Sequence, residues 1–128
     1  MIEIVNSGGV TSPMGFSAGG AHAGLKSEIG ALDIGLLISD SDAGVGATFT
    51  TNKIESPSVS VSRERLKRRV ARGVVANSGC ANCSVGVQGF KDAEELTALA
   101  ANHAGVSPEE LFVASTGVIG VELPMALI

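Results

Sequence analysis

Two long stretches of this chain, Ile4 to Leu25 and Gly73 to Phe90, contain no Asp, Glu, Lys or Arg. An uncharged segment of about 20 residues is long enough to cross a bilayer, so its composition decides between a membrane span and buried globular backbone. Both stretches are broken by Gly, Ser and Asn and lack the run of bulky apolar side chains that drives insertion. They read instead as small-residue strands and turns, in which Gly and Ala let neighbouring backbones approach closely. Hydrophobic residues make up 45% and charged residues 17% of 128, which points to a packed chain of one domain, or part of one. With no Trp or Tyr and a net charge of −4, the chain lacks the basic, aromatic surface that stacks on bases, and nucleic acid is excluded as a partner. Its first basic residue is Lys26, so neither a signal-peptide n-region nor an Arg-rich transit face opens it. A cytoplasmic protein without a membrane partner is expected.

Ile2 to Val5 reads as an edge strand ended by the turn composition Asn6-Ser7-Gly8-Gly9, and Phe16 to Leu25 as a small-residue strand. Leu32 to Ile38 and Val45 to Thr50 read as two further strands joined by a turn at Ser39-Asp40-Ser41-Asp42, with Val59 to Val61 a shorter one. Arg63 to Val70 has helical composition behind a capping Ser62, and Gly73 to Ala76 resumes as a strand. Ala93, Leu96, Leu99, Ala100 and His103 recur at spacings of three and four before Gly105, which predicts a helix with a glycine C-cap. Ser107-Pro108-Glu109-Glu110 carries the capping-box pattern, and Leu111 to Ala114 follows as a strand. Leu123 to Ile128 then reads as the opening turn of a helix. One turn does not offset its nucleation free energy, so the natural polypeptide is expected to be longer.

Few residues carry chemistry on spacing alone. Cys80-Ala81-Asn82-Cys83 has the spacing of redox and zinc sites, but a structural zinc needs four ligands, and His22 and His103 stand in unrelated segments. Packing of small residues in a loop is the preferred reading, and no metal is expected. Arg63, Arg65, Lys67, Arg68, Arg69 and Arg72 fit a solvated helix face better than a phosphate patch. Gly44-Val45-Gly46-Ala47-Thr48-Phe49 begins like a dinucleotide loop and lacks its third glycine. His103 suits the last carbonyls of its helix, and His22 is too isolated for a triad. Thr116-Gly117 differs, because a strand delivers it into a glycine-flanked turn. Backbone N–H groups there, joined by the Thr116 hydroxyl, fit an oxyanion site for acyl transfer. From spacing alone the same residues also fit an ordinary strand-to-helix turn.

Four ordered segments resemble the ornithine acetyltransferase family, the glutamate N-acetyltransferases of arginine biosynthesis. They are Val10-Thr11-Ser12-Pro13-Met14-Gly15-Phe16, Phe49-Thr50-Thr51-Asn52, Asn77-Ser78-Gly79-Cys80-Ala81-Asn82 and Val113-Ala114-Ser115-Thr116-Gly117-Val118-Ile119-Gly120. The resemblance implies an α+β fold, with helices covering mixed β-sheets in a layered sandwich like that of N-terminal-nucleophile hydrolases. Residues 1–128 would be its N-terminal portion, on the α-chain side of a precursor that cuts itself before a threonine. That threonine, beyond Ile128 in the family, would take the acetyl group from N-acetylornithine and pass it to glutamate in a ping-pong cycle. By resemblance, Thr116 and Gly117 are the catalytic residues of this portion, forming the oxyanion hole.

The resemblance further implies no resident cofactor, acetyl-coenzyme A being an added acetyl donor in bifunctional members. It implies an oligomer of α–β pairs in the cytoplasm, and inactivity of this portion without the chain carrying the nucleophile. One departure stands out, since the family pattern has Asn where this chain has Cys80, and a thiol is the weaker donor. The alternative reading is a non-catalytic binding or structural module that keeps the fold.

Overall fold

β-branched and small apolar residues in the charge-poor segments pair into one mixed sheet, which the computed structural model describes through Ile4 and residues 6–128. The elements in chain order are β1 (Phe16–Ala21), β2 (Ile34–Gly44), α1 (Pro57–Leu66), β3 (Val70–Cys80), α2 (Gln88–Ala104) and β4 (Leu111–Val118). Single 3-10 turns occupy Pro108–Glu110 and Met125–Leu127. The sheet order is β1-β2-β3-β4. β1 and β2, and β2 and β3, run antiparallel, whereas β4 lies parallel to β3 after the α2 crossover. A parallel neighbour needs such a crossover, because a tight hairpin reverses the chain.

Both helices lie on one face. Val75 and Val113 of the sheet meet Ala93 and Leu96 of α2 in the core, with Val61, Ile34, Leu36, Met125 and Ile128 packed around them. Burying a side chain such as Leu96 stabilises the fold by roughly 1.5–3 kcal/mol. Strand side chains alternate between faces, so Val74, Phe112, Ala114 and Thr116 belong to the opposite face. Among the described residues no helix or strand covers that face. On the helix side, a cavity of about 720 Å³ opens between Gly19, Leu36 and the C-terminal turn of α2 at Leu99 and His103.

The helix predicted from the Ala93 to His103 periodicity is α2, ended by Gly105 in the left-handed conformation (φ 69°). Glu110 accepts from the Ser107 N–H at 2.8 Å, which closes one half of the expected capping box. The strand expected over Phe16 to Leu25 ends at Ala21 as β1, and His22 to Leu25 are loop; the strand expected from Leu32 begins at Ile34 as β2, and Gly73 to Ala76 lie within β3. Leu111 begins β4, which runs on past Ala114 to Val118, and the Leu123 to Ile128 segment forms only a 3-10 turn at Met125–Leu127. The expected strand at Ile2 to Val5 falls outside the described residues, apart from Ile4, which belongs to no element.

Several expectations about β2 and α1 are corrected. Ser39-Asp40-Ser41-Asp42 is not a turn between strands but part of β2, taken up as an irregularity in the pairing with β3 between Ile38 and Ala43. Ser39 still pairs with Phe16, and the Asp40 N–H donates to the Gly15 carbonyl at 2.8 Å, so cross-strand bonding overrides local turn preference. Val45 to Thr50 consequently forms a connection and no strand. Val59 to Val61 is helical: α1 begins at Pro57, capped by Ser56, whose side chain accepts from the Val59 N–H at 3.4 Å. The helix therefore starts earlier than expected and ends at Leu66, and Val70 already belongs to β3. Ser62 is not a cap. Buried inside α1, it donates to the Val113 carbonyl at 2.8 Å and accepts from the Val113 N–H at 3.0 Å.

Candidate functional site

Parallel pairing brings two of the four signature segments together. Asn77, Ser78 and Gly79 at the end of β3 lie opposite Ser115, Thr116 and Gly117 of β4, and Cys80 then pairs with both Thr116 and Val118. Such a bulge re-aims the backbone at the end of a ladder. Here it is closed by the Ala81 N–H donating to the Val118 carbonyl and the Gly120 N–H donating to Cys83, both at 2.8 Å. The other two segments lie elsewhere. Gly15 borders the opposite end of β2 at Asp40, and Thr50 accepts through its carbonyl from Arg63 of α1 at 3.1 Å.

Ser115 turns toward the helices, its Oγ 2.9 Å from that of Ser58 near the start of α1. Thr116 is exposed on the uncovered face. Gly117 has φ 129°, a conformation side chains resist, and a Cβ there would overlap the Gly79 carbonyl carbon and come within 2.6 Å of the Cys80 nitrogen. Gly79 is equally constrained, with φ 115° and the Leu25 carbonyl oxygen 2.6 Å from where its Cβ would stand. Three backbones thus stack in direct contact behind Thr116, which lies at the end of a strand and not in the turn that spacing predicted.

The Asn77 to Asn82 segment braces this stack. Asn77 is buried and donates to the Cys80 carbonyl at 2.7 Å. Asn82, fully buried at φ 46°, donates to the Gly89 carbonyl at 2.8 Å and so ties the loop to α2. Cys80 is a buried free thiol 3.1 Å from the Val121 carbonyl oxygen. Cys83 is also free, and among the described residues no three His, Cys, Asp or Glu side chains cluster to hold a metal. His103 stands exposed near the end of α2.

The basic run is only partly a solvated face. Arg65 is half-buried and donates to the Leu111 carbonyl at 2.7 Å and to Thr97 at 2.9 Å, while Arg72 donates to the Ser39 carbonyl at 3.0 Å. Burial pulls the Arg65 pKa below its ordinary value, against the opposing charges of Glu109 and Glu94. Arg63 pairs with Glu55 at 2.8 Å and lies over the Phe49 ring.

Asp33 was not anticipated. Its carboxylate accepts from the N–H groups of Ala23 (2.6 Å), Leu25 (2.7 Å) and Lys26 (3.1 Å), with His22 Nδ1 3.5 Å away. Burial pushes its pKa up, but those three N–H groups and His22 outweigh it and leave the carboxyl below the ordinary aspartate value. The available signal was a lone acid inside Leu-Asp-Ile-Gly-Leu-Leu-Ile, since a charge amid apolar strand residues needs dedicated partners.

The described residues therefore form a mixed α+β sheet with helices on one face and an exposed threonine stacked against glycines at a strand end. The chain belongs to the ArgJ family, whose model matches residues 17–128. It is 46% identical over 120 residues to the arginine biosynthesis bifunctional protein ArgJ of Symbiobacterium thermophilum, covering 93% of this chain and 30% of that protein. Among solved structures it is similar to ArgJ of Bacillus halodurans, with a TM-score of 0.91 at 34% identity, over 96% of this chain and 64% of that one. Ornithine acetyltransferase of Mycobacterium tuberculosis, complexed with ornithine, gives a TM-score of 0.86 at 36% identity, over 96% of this chain and 66% of that one. The chain spans about 30% of the length of the curated relatives it matches. No helix among the described residues is long and apolar enough to cross a membrane.

Proposed function

We propose that this chain is the N-terminal portion of an enzyme that moves an acetyl group from N-acetylornithine to glutamate, with Thr116 and Gly117 forming its oxyanion hole. The observation that carries the reading is the exposed Thr116 beside a Gly117 held at φ 129° against Gly79. Electrostatic stabilisation of a developing oxyanion requires donors fixed before the reaction begins, and backbone stacked on backbone leaves this bend little room to relax.

The nucleophile is a threonine in the remainder of the polypeptide, freed at a new N-terminus by self-cleavage, its own amine serving as base. Its hydroxyl oxygen bonds to the acetyl carbon, and negative charge gathers on the former carbonyl oxygen beside Thr116. The amide C–N bond then breaks, and ornithine leaves as the amine, carrying the hydroxyl proton. Glutamate's amine attacks the resulting ester, and the threonine hydroxyl is restored as N-acetylglutamate departs. No resident cofactor takes part, and acetyl-coenzyme A is the other acetyl source in a bifunctional member. The remaining polypeptide is the obligate partner, in an oligomer of α–β pairs in the cytoplasm.

The test is Thr116→Ala in the full-length enzyme. Loss of one oxyanion donor is expected to lower the transfer rate by about 10²-fold or more with KM little changed. An unchanged rate removes Thr116 from the site. The 128-residue chain alone is expected to show no transfer, and activity in it would overturn the placement of the nucleophile.

A further inference from the structure

Asp33 stands where three parts of the fold meet. Its N–H donates to the Ala21 carbonyl at the end of β1 (2.9 Å), and its carbonyl accepts from the Ser78 N–H of β3 (2.8 Å). Its carboxylate, shielded from solvent, gathers the N–H groups of Ala23, Leu25 and Lys26. That loop follows β1 and contains no helix or strand of its own. Yet it presses the Leu25 carbonyl onto Gly79, closely enough that a Cβ on Gly79 would stand 2.6 Å from the oxygen. Gly79 in turn lies against Gly117, with its carbonyl oxygen 2.5 Å from where a Gly117 Cβ would stand. Backbone contacts therefore run from the loop through Gly79 to the bend, with no flexible side chain between them to absorb a displacement.

We infer that Asp33 is a positioning residue for acetyl transfer, fixing the Thr116–Gly117 bend through the Leu25 carbonyl and Gly79. The inference rests on the oxyanion-hole assignment above. Asp33 acts through the backbone, its carboxylate being taken up by the N–H groups of the loop. Three N–H groups converging on one carboxylate define the height of the loop above Gly79, and hence where the Gly117 backbone comes to rest. An asparagine has the same shape but turns an NH2 group toward at least one of those donors, so the loop lifts. A bend displaced by less than an ångström still binds ground-state substrate but no longer meets the oxyanion, which exists only in the transition state.

A double-mutant cycle in the full-length enzyme tests this, using Asp33→Asn, Thr116→Ala and the pair, with kcat and KM for N-acetylornithine measured below the melting temperature of each variant. Asp33→Asn is expected to lower kcat about tenfold or more with KM within about twofold. In the Thr116→Ala background it is expected to lower kcat much less, since residues acting through one interaction are not additive. Full kcat in Asp33→Asn, or losses that simply add, overturns the positioning role while leaving Thr116 in place. An unchanged Thr116→Ala rate instead overturns the oxyanion assignment itself. Where Asp33→Asn yields too little folded enzyme, Asp33→Glu keeps the charge and lengthens the reach by one methylene. The same selective fall in kcat is then expected, and undiminished kcat overturns the inference.

Discussion

At the scale of single residues, this chain concentrates its constraints on a few small or buried groups. Asp33 also predicts how stability responds to acid. Its folded-state pKa lies below the ordinary value, so its contribution is complete above the unfolded pKa of about 3.9 and is lost as pH falls through the lower, folded value. The urea midpoint of the full-length protein should therefore fall on acidification below about pH 4. Asp33→Asn should flatten that fall and lower the midpoint at neutral pH; parallel curves for the two proteins would exclude Asp33 as a source of the dependence. Spacing alone left Thr116-Gly117 open between an oxyanion site and an ordinary strand-to-helix turn, and only the resemblance singled the pair out. The support behind the pair was not legible at all. Neither Leu25 nor Gly79 carries a side-chain signal for backbone packing, and the contact between them becomes visible only when loop and strand are brought together.

The elements show where periodicity suffices and where it fails. α2 repeats its apolar residues at spacings of three and four and ends in a glycine at φ 69°, so local sequence and tertiary packing agree. α1 has no comparable stripe: Pro57-Ser58-Val59-Ser60-Val61-Ser62 alternates as a strand would. It is helical because Ser56 and Pro57 start it, and because its serines meet β4, Ser58 at Ser115 and Ser62 at Val113. β2 makes the reverse point. Its four turn-prone residues remain in the strand because Phe16 of β1 pairs with Ser39 and Gly15, just before β1, accepts from Asp40. A consequence for α1 separates capping from bridging. Ser62→Ala leaves the Val113 N–H and carbonyl without their buried partner and should destabilise the protein by about 1–3 kcal/mol. Ser56→Ala removes a cap bond already stretched to 3.4 Å, and should cost only about 0.5–1 kcal/mol. Equal losses in chemical denaturation would return Ser62 to an ordinary helix position.

For the molecule as a whole, the governing fact is that among the described residues helices cover one face of the sheet and no helix or strand covers the other. The composition foretold a sheet of small residues with few helices, and the resemblance foretold a layered sandwich. What local pattern could not reveal is which strand face each layer meets, since Val74 and Val75, or Phe112 and Val113, look alike in the sequence and differ only by the register of β3 with β4. Val75 and Val113 enter the core beneath α2, while their neighbours Val74 and Phe112 remain half-exposed and Ala114 exposed on the other side. β1 adds an outer strand whose residues after Phe16 are all exposed, and among the described residues no strand pairs with its outer edge, so that edge and the bare face form one apolar, hydrogen-bond-ready surface. A chain consisting of these 128 residues should therefore associate with itself. Sedimentation velocity is expected to show species that grow with concentration, accompanied by strong binding of a dye that reports exposed apolar surface. The proposed function requires further polypeptide to meet the same sheet, so the full-length protein is expected to bind little dye and show one defined assembly. If the short chain instead sediments as a monomer and leaves the dye unbound, then the face carrying Thr116 is already closed. In that event the attacking threonine has no route to the bend from that side, and the proposed chemistry would have to reach it from beyond the end of β4.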